Sequence, residues 1–111
     1  MPSYNPPLRD IQSVLYDLHK VTPKLHAMPK YADVGLDEDM INSVIEEGGK
    51  FCANVLAPIN LSGDQEGCTR HADGSVTTPK GFKEAYAQFV EAGWPALPGL
   101  PEYGGQGMPE L

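Results

Sequence analysis

One long apolar stripe constrains this sequence more than any other feature. From residue 41 onward, apolar or small residues recur at steps of three and four, the spacing that places them on one face of an α-helix. The stripe consists of Ile41, Val44, Ile45, Gly48, Phe51, Cys52, Val55, Leu56 and Ile59. It predicts an amphipathic helix that Pro58 should kink or stop near residue 57. Gly48 and Gly49 each cost roughly 1 kcal/mol relative to Ala inside a helix, so we expect them to permit close helix packing.

The residues before the stripe predict where this helix begins. Asp37 is a favourable N-cap, and Glu38 and Asp39 suit the positive end of the helix dipole. Leu36 and Ile41 occupy the two positions of a hydrophobic staple, one before the cap and one four residues after it. The start of the helix is therefore predicted at residue 38.

Two further amphipathic helices are expected. The first follows Pro6 and Pro7 and should end at Thr22-Pro23. Its apolar face consists of Leu8, Ile11, Val14, Leu15 and Leu18. The last should begin with Thr78 as N-cap and Pro79 at its first position, and end before Gly93. Its apolar face consists of Phe82, Ala85, Tyr86, Phe89 and Val90.

The remaining segments are predicted to be irregular or short. Residues 19–35 and the polar run 62–67 are expected to lack regular structure, and residues 94–111 are expected to form a long loop. Residues 69–77 predict a small hairpin, with Asp73-Gly74 as a type I′ turn pair. The predicted fold class is all-α, with three main amphipathic helices, this hairpin and a Gly/Pro-rich C-terminal tail. The predicted core consists of Ile41, Val44, Ile45, Val55, Leu56, Phe82, Tyr86 and Phe89.

Charge and composition exclude several classes of function. The net charge of −7 argues against nucleic acid, whose phosphates need Lys and Arg partners, and against an anionic membrane surface. No apolar run approaches the ~20 residues that span a bilayer, and the N-terminus does not resemble a signal peptide. We therefore expect a cytoplasmic protein in which Cys52 and Cys68 are reduced.

No residue pattern predicts a catalytic, cofactor-binding or metal site. The glycine-rich run 104–107 lacks the strand before it and the helix after it that a phosphate cradle requires, so a tight turn is the better interpretation. Asp64 and Glu66 are expected to be solvated rather than to act as an acid–base pair. The serines have no evident His and Asp partners, and the two cysteines and three histidines show no zinc spacing.

A string of motifs in fixed order nevertheless resembles the acyl-CoA dehydrogenase family. The motifs are Val55-Leu56-Ala57-Pro58-Ile59-Asn60, Gly63-Asp64-Gln65-Glu66-Gly67-Cys68, Asp73-Gly74-Ser75-Val76-Thr77-Thr78-Pro79, Gly81-Phe82-Lys83-Glu84-Ala85-Tyr86, Gly93-Trp94 and Pro101-Glu102-Tyr103-Gly104-Gly105-Gln106-Gly107-Met108-Pro109. The resemblance covers nearly the whole chain and is strongest to the long bacterial branch of methylthiopropionyl-CoA dehydrogenase-like enzymes. It identifies residues 1–35 as an N-terminal extension with one helix and residues 36–111 as the start of the family's N-terminal helical domain.

The resemblance also implies a function for a longer protein. Family members bind FAD, remove two hydrogens from an acyl-CoA thioester and pass electrons to electron-transfer flavoprotein. A carboxylate base takes the α proton and the flavin takes the β hydride. These groups come from the middle and C-terminal domains, so the chain is expected to be an inactive N-terminal fragment, without bound FAD, that helps to wall the acyl pocket. A homo-oligomer is expected.

One alternative remains open at this point. The chain would then be a stand-alone helical interaction module that uses the face of residues 41, 44, 45 and 48 as a groove for a partner. An open reading frame that continues past Leu111 favours the enzyme, and an immediate stop codon favours the module.

Overall fold

The computed structural model describes residues 3–111 and is mostly helical, with 57% helix and 4% strand. This agrees with the all-α prediction. The chain divides into two compact units, Met1–Asn54 and Val55–Leu111. The domain boundary predicted between residues 35 and 36 stays a prediction.

Three helical segments form the first unit. Helix α1 (Leu8–Gln12) continues into a π-helix (Ser13–Leu18), and α2 (Val21–His26) and α3 (Glu38–Phe51) follow. The core of this unit is formed by Val21, Leu25 and Ile41, with Leu15, Tyr16, Tyr31 and Ile45 packed against it.

Two predictions for this region are wrong. Residues 19–35 are not irregular throughout, because they contain α2, and the first helix does not reach Thr22. The first helix ends at Leu18, and Lys20 then takes a left-handed conformation with φ of 52°. Pro23 is the third residue of α2, where its missing N–H leaves no helical hydrogen bond unmade. A proline that the sequence indicated as a helix end therefore lies in the first turn of a new helix.

The predicted start of α3 is confirmed. The Asp37 side chain accepts a hydrogen bond of 2.8 Å from the Met40 amide, which caps the helix. Leu36 and Ile41, the two staple positions, are both buried. Gly49 is also buried, and a Cβ there would lie 2.9 Å from the Pro6 ring, so this glycine permits the close packing that the sequence predicted.

A π-helix (Cys52–Leu56) links α3 to α4 (Ala57–Glu66), and the boundary between the two units falls within it. The irregularity expected near residue 57 is present, but the chain returns to a helix with Pro58 in its first turn. The prediction of a loop over 62–67 is wrong, because α4 continues to Glu66 and ends at Gly67 with φ of 66°.

Strands β1 (Thr69–Arg70) and β2 (Val76–Thr77) form the predicted hairpin, antiparallel, with Thr69 opposite Thr77. The turn is not type I′, because that type needs positive φ at both central residues. Gly74 has a positive φ but Asp73 does not, since within residues 3–111 the non-glycine residue with positive φ is Lys20. Gly74 has φ of 88° and its amide donates to the His71 carbonyl at 3.0 Å. The connection between the strands is residues 71–75, five residues that include the left-handed Gly74.

Helix α5 (Phe82–Glu91) begins three residues later than the predicted start at Pro79. The Lys80 amide donates to the Glu66 carboxylate at 3.0 Å, and Gly81 takes a left-handed φ of 89° directly before the helix. Residues 78–81 therefore precede the helix and are hydrogen-bonded to the end of α4 through Lys80. Gly81 is the N-cap, so Thr78 is not the cap and Pro79 is not the first helical residue. At the other end, Gly93 is left-handed as predicted.

The C-terminal tail, residues 94–111, is a loop that contains two short 3-10 helices, Trp94–Ala96 and Pro101–Tyr103. Backbone hydrogen bonds of 2.8–3.0 Å join residues 96–99 to residues 106–108. Gly105 lies so close to the Gly99 carbonyl that a Cβ would overlap it. The predicted loop is therefore ordered by its own backbone, with glycine required where the two sides meet.

Candidate functional site

The second unit contains an open groove of ≈ 330 Å³. We call it the α4/α5 groove. It is lined by Leu56, Ile59, Asn60, Phe82, Ala85, Tyr86 and Phe89. Apolar side chains dominate this lining, which is the usual character of a surface that binds an apolar ligand or helix.

Two glycines bring α4 and α5 close enough to form the groove. A Cβ at Gly63 would overlap the Phe82 ring, and a Cβ at Gly81 would lie 2.9 Å from Ile59 Cγ2. Gly63 is buried inside α4, so packing outweighs the roughly 1 kcal/mol helix penalty of glycine. These close approaches fix where the aromatic rings of α5 stand.

Three residues that the sequence predicts to be in the core are exposed in the structure. Tyr86 is 67% exposed, Leu56 41% and Phe82 37%, so these three are groove residues and not core residues. The rings of Tyr86 and Phe89 lie 6.3 Å apart in a tilted arrangement, which is within the range of favourable aromatic pairs. The periodicity of the sequence correctly predicts the apolar face of α5, but it does not predict that much of this face is exposed.

The groove carries little chemistry of its own. Its polar side chains are the Asn60 amide and the Tyr86 hydroxyl, and its lining contains no Asp, Glu, His, Lys or Arg. General acid–base catalysis at neutral pH needs a positioned group with a suitable pKa. The groove can therefore bind and orient an apolar group, but a catalytic acid or base must come from elsewhere.

The glycine-rich run 104–107 is a turn, as predicted. Its amides all donate within the tail: Gly104 to Pro101, Gly105 to Leu100, Gln106 to Ala96 and Gly107 to Gly99. A phosphate cradle needs free amides that point at the anion. This run therefore does not fit the pyrophosphate of a dinucleotide such as FAD.

The other residues considered from the sequence remain separate from one another. Asp64 and Glu66 are exposed on α4 rather than in the predicted loop, and the Glu66 carboxylate accepts from the Lys80 amide. The serine hydroxyls donate to nearby acceptors: Ser13 to Asp17, Ser43 to the Asp39 carbonyl and Ser75 to Asp73. None of these contacts joins a serine to a histidine.

The thiols and metal-ligating groups are also dispersed. Cys52 and Cys68 are free thiols, half-buried and exposed respectively. Within residues 3–111 no three His, Cys, Asp or Glu side chains come together to hold a metal ion. No helix in this range is long and apolar enough to cross a bilayer.

The face proposed as a partner groove in the alternative interpretation is buried at Ile41 and half-buried at Val44, Ile45 and Gly48. Ile41 is 1% exposed because it packs with Val21 and Leu25, and Ile45 packs against the same cluster. Sequence reasoning missed this because α2 itself was missed. It also missed the α4/α5 groove, because residues 62–67 were predicted to be a loop and the close approach of Gly63 to Phe82 was therefore not expected.

Comparison with known proteins gives one close match. No family model matches the chain. The chain is 38% identical over 109 residues, 98% of its length, to 3-methylmercaptopropionyl-CoA dehydrogenase of Ruegeria pomeroyi, and it spans 18% of that protein. The identity extends across both units and includes the region of the motifs. The resemblance to the acyl-CoA dehydrogenase family, in the branch of the methylthiopropionyl enzyme, is thereby confirmed.

Proposed function

We propose that the chain forms the N-terminal helical part of a longer, FAD-dependent acyl-CoA dehydrogenase. The longer enzyme would remove two hydrogens from an acyl-CoA thioester and pass the electrons to electron-transfer flavoprotein. The observation that carries this proposal is the identity of 38% over 98% of the chain to a dehydrogenase of which the chain spans only 18%.

Within that enzyme we assign the chain a structural task, helping to wall the acyl pocket. The α4/α5 groove supports this assignment because its lining is mostly apolar and the rings of Phe82 and Tyr86 are exposed. Burial of an alkyl group there would contribute roughly 0.8 kcal/mol per methylene. The absence of an ionisable carboxylate or imidazole from the lining supports a role in binding rather than in proton transfer.

The flavin would be held by other parts of the longer enzyme. The engaged amides of residues 104–107 support this division, as does the net charge of −7, which disfavours a phosphate site. We propose that the chain alone binds no FAD and is inactive. A homo-oligomeric, cytoplasmic enzyme is part of the same proposal.

The test compares two proteins from the same gene. One is the 111-residue chain and the other is the polypeptide encoded by the whole reading frame. Flavin fluorescence should show FAD in the longer protein only, and enoyl-CoA should form from acyl-CoA only there. A yellow 111-residue chain, or micromolar flavin affinity in it, would contradict the proposal.

The interaction module remains a second candidate, since the α4/α5 groove also suits an amphipathic helix of a partner. We propose that the module would use this groove rather than the face of residues 41, 44, 45 and 48, because Ile41 is buried in the core of the first unit. A reading frame that stops directly after Leu111 would favour it over the enzyme.

A further inference from the structure

The turn of the hairpin contains a chemically reactive pair of residues. Asp73 and Gly74 are exposed between β1 and β2. In an Asp-Gly pair, the glycine amide nitrogen can attack the aspartate side-chain carbonyl carbon, because glycine has no side chain to obstruct the approach. Water leaves as a five-membered succinimide forms. Water then adds to either carbonyl and gives normal aspartate or an isoaspartate, in which the backbone runs through the side chain.

The fold opposes this reaction at the carboxylate. Asp73 Oδ1 accepts two hydrogen bonds from Ser75, one from the hydroxyl at 2.6 Å and one from the amide at 2.9 Å. These bonds hold the carboxylate toward Ser75. They also favour its ionised form, which is a poor electrophile, and accordingly the Ser75 hydroxyl and amide lower the pKa of Asp73.

The fold also opposes the reaction at the nitrogen. The Gly74 amide donates to the His71 carbonyl at 3.0 Å. The nitrogen must lose this proton to attack, so the hydrogen bond holds the nucleophile in its unreactive form. Both reacting groups are thus engaged by hydrogen bonds within the turn.

We propose that Asp73-Gly74 is a latent site of isoaspartate formation, which Ser75 keeps unreactive in the folded protein. Conversion would insert one extra backbone carbon between Ala72 and Gly74. The strands are only two residues long, with Thr69 opposite Thr77 and Arg70 opposite Val76. So few strand pairs can do little to oppose a lengthened turn, and isoaspartate would weaken the hairpin.

The experiment compares the wild-type chain with Ser75→Ala, and uses Ser62→Ala as the matched control. Ser62 is an exposed serine whose hydroxyl makes only a 3.4 Å contact with the Ile59 carbonyl. The folded proteins are aged at neutral pH, and isoaspartate is measured in the tryptic peptide of residues 71–80 by fragmentation mass spectrometry and by enzymatic methylation. Loss of one hydrogen bond of ordinary net strength should raise the rate about threefold to tenfold in Ser75→Ala, with no change in Ser62→Ala.

The same proteins aged in concentrated urea provide the second arm. All three should form isoaspartate at one rate, faster than the folded wild type, because the turn no longer exists. Equal rates for folded wild type and folded Ser75→Ala would overturn the proposal. A folded wild type that reacts as fast as its unfolded form would overturn it as well.

Discussion

Helix α3 of the first unit and helix α5 of the second differ in how deeply their apolar residues are buried. In the first unit, α2 covers the face of α3, so Ile41 is 1% exposed and Val21 and Leu25 are buried with it. In the second unit, Ala85 is buried but Tyr86, from the next position of the same helix, is 67% exposed. Helix α3 therefore buries Ile41 in the core of the first unit, whereas α5 leaves Tyr86 and Phe82 exposed on the α4/α5 groove. Equal amphipathicity in two sequences does not imply equal roles.

The largest expected effect separates these two roles directly. Ile41→Ala should lower the free energy of unfolding by roughly 2–5 kcal/mol, because it leaves a cavity among Val21 and Leu25. Tyr86→Ala, its control, should change it by about 0.5 kcal/mol or less, since the side chain is mostly exposed. Urea denaturation followed by circular dichroism measures both. Equal losses in the two variants would show that the contrast between the units is wrong.

A second variant tests the close approach that forms the α4/α5 groove. Gly63→Ala should destabilise the protein by about 1–3 kcal/mol, because its Cβ would overlap the Phe82 ring. Phe82→Leu in the same molecule should restore part of the loss, since the smaller side chain makes room. Ser62→Ala, the adjacent position on α4, is the control and should be close to neutral. Thermal unfolding of the wild type, Gly63→Ala, Phe82→Leu and the double variant gives the coupling, and strictly additive effects would exclude the contact.

Sequence reasoning succeeded where local chemistry decides the structure. Asp37 caps α3, Gly93 ends α5 and residues 69–77 pair as a hairpin, because each depends on neighbours in the chain. It failed where distant contacts decide. Residues 62–67 look like a loop, yet they are mostly helical because α4 packs on Phe82 through Gly63.

The same distinction explains the candidate site. The apolar face of α5 was evident from its period, but its exposure depends on how much of it other elements cover. The start of α5 was predicted three residues too early. The Lys80 amide donates a hydrogen bond to the Glu66 carboxylate, fourteen residues away in the sequence, and this contact keeps residues 78–81 out of the helix. No local pattern around Thr78 reveals that bond. The groove itself was therefore not predictable from the residues that line it.

The smallest expected effect concerns pH in the hairpin. The Ser75 hydroxyl and then its amide lower the pKa of Asp73 below the usual value. A carboxyl whose folded pKa is lowered stabilises the fold above its unfolded pKa, and this contribution is lost as the pH falls through the folded pKa. NMR titration of Asp73 should show a higher midpoint in Ser75→Ala than in the wild type. Coincident titration curves would show that the Ser75 hydroxyl does not hold the carboxylate in solution.

The most direct test of the central claim uses the longer acyl-CoA dehydrogenase that we propose this chain belongs to. The claim is that the exposed face of α5 serves acyl binding rather than folding. Tyr86→Ala should raise KM for the acyl-CoA by up to about tenfold with little change in kcat, as expected when apolar contact worth about 1.4 kcal/mol is removed. Tyr103→Ala, which removes another exposed tyrosine outside the groove, should leave KM unchanged. An unchanged KM in Tyr86→Ala, with stability intact, would contradict the account.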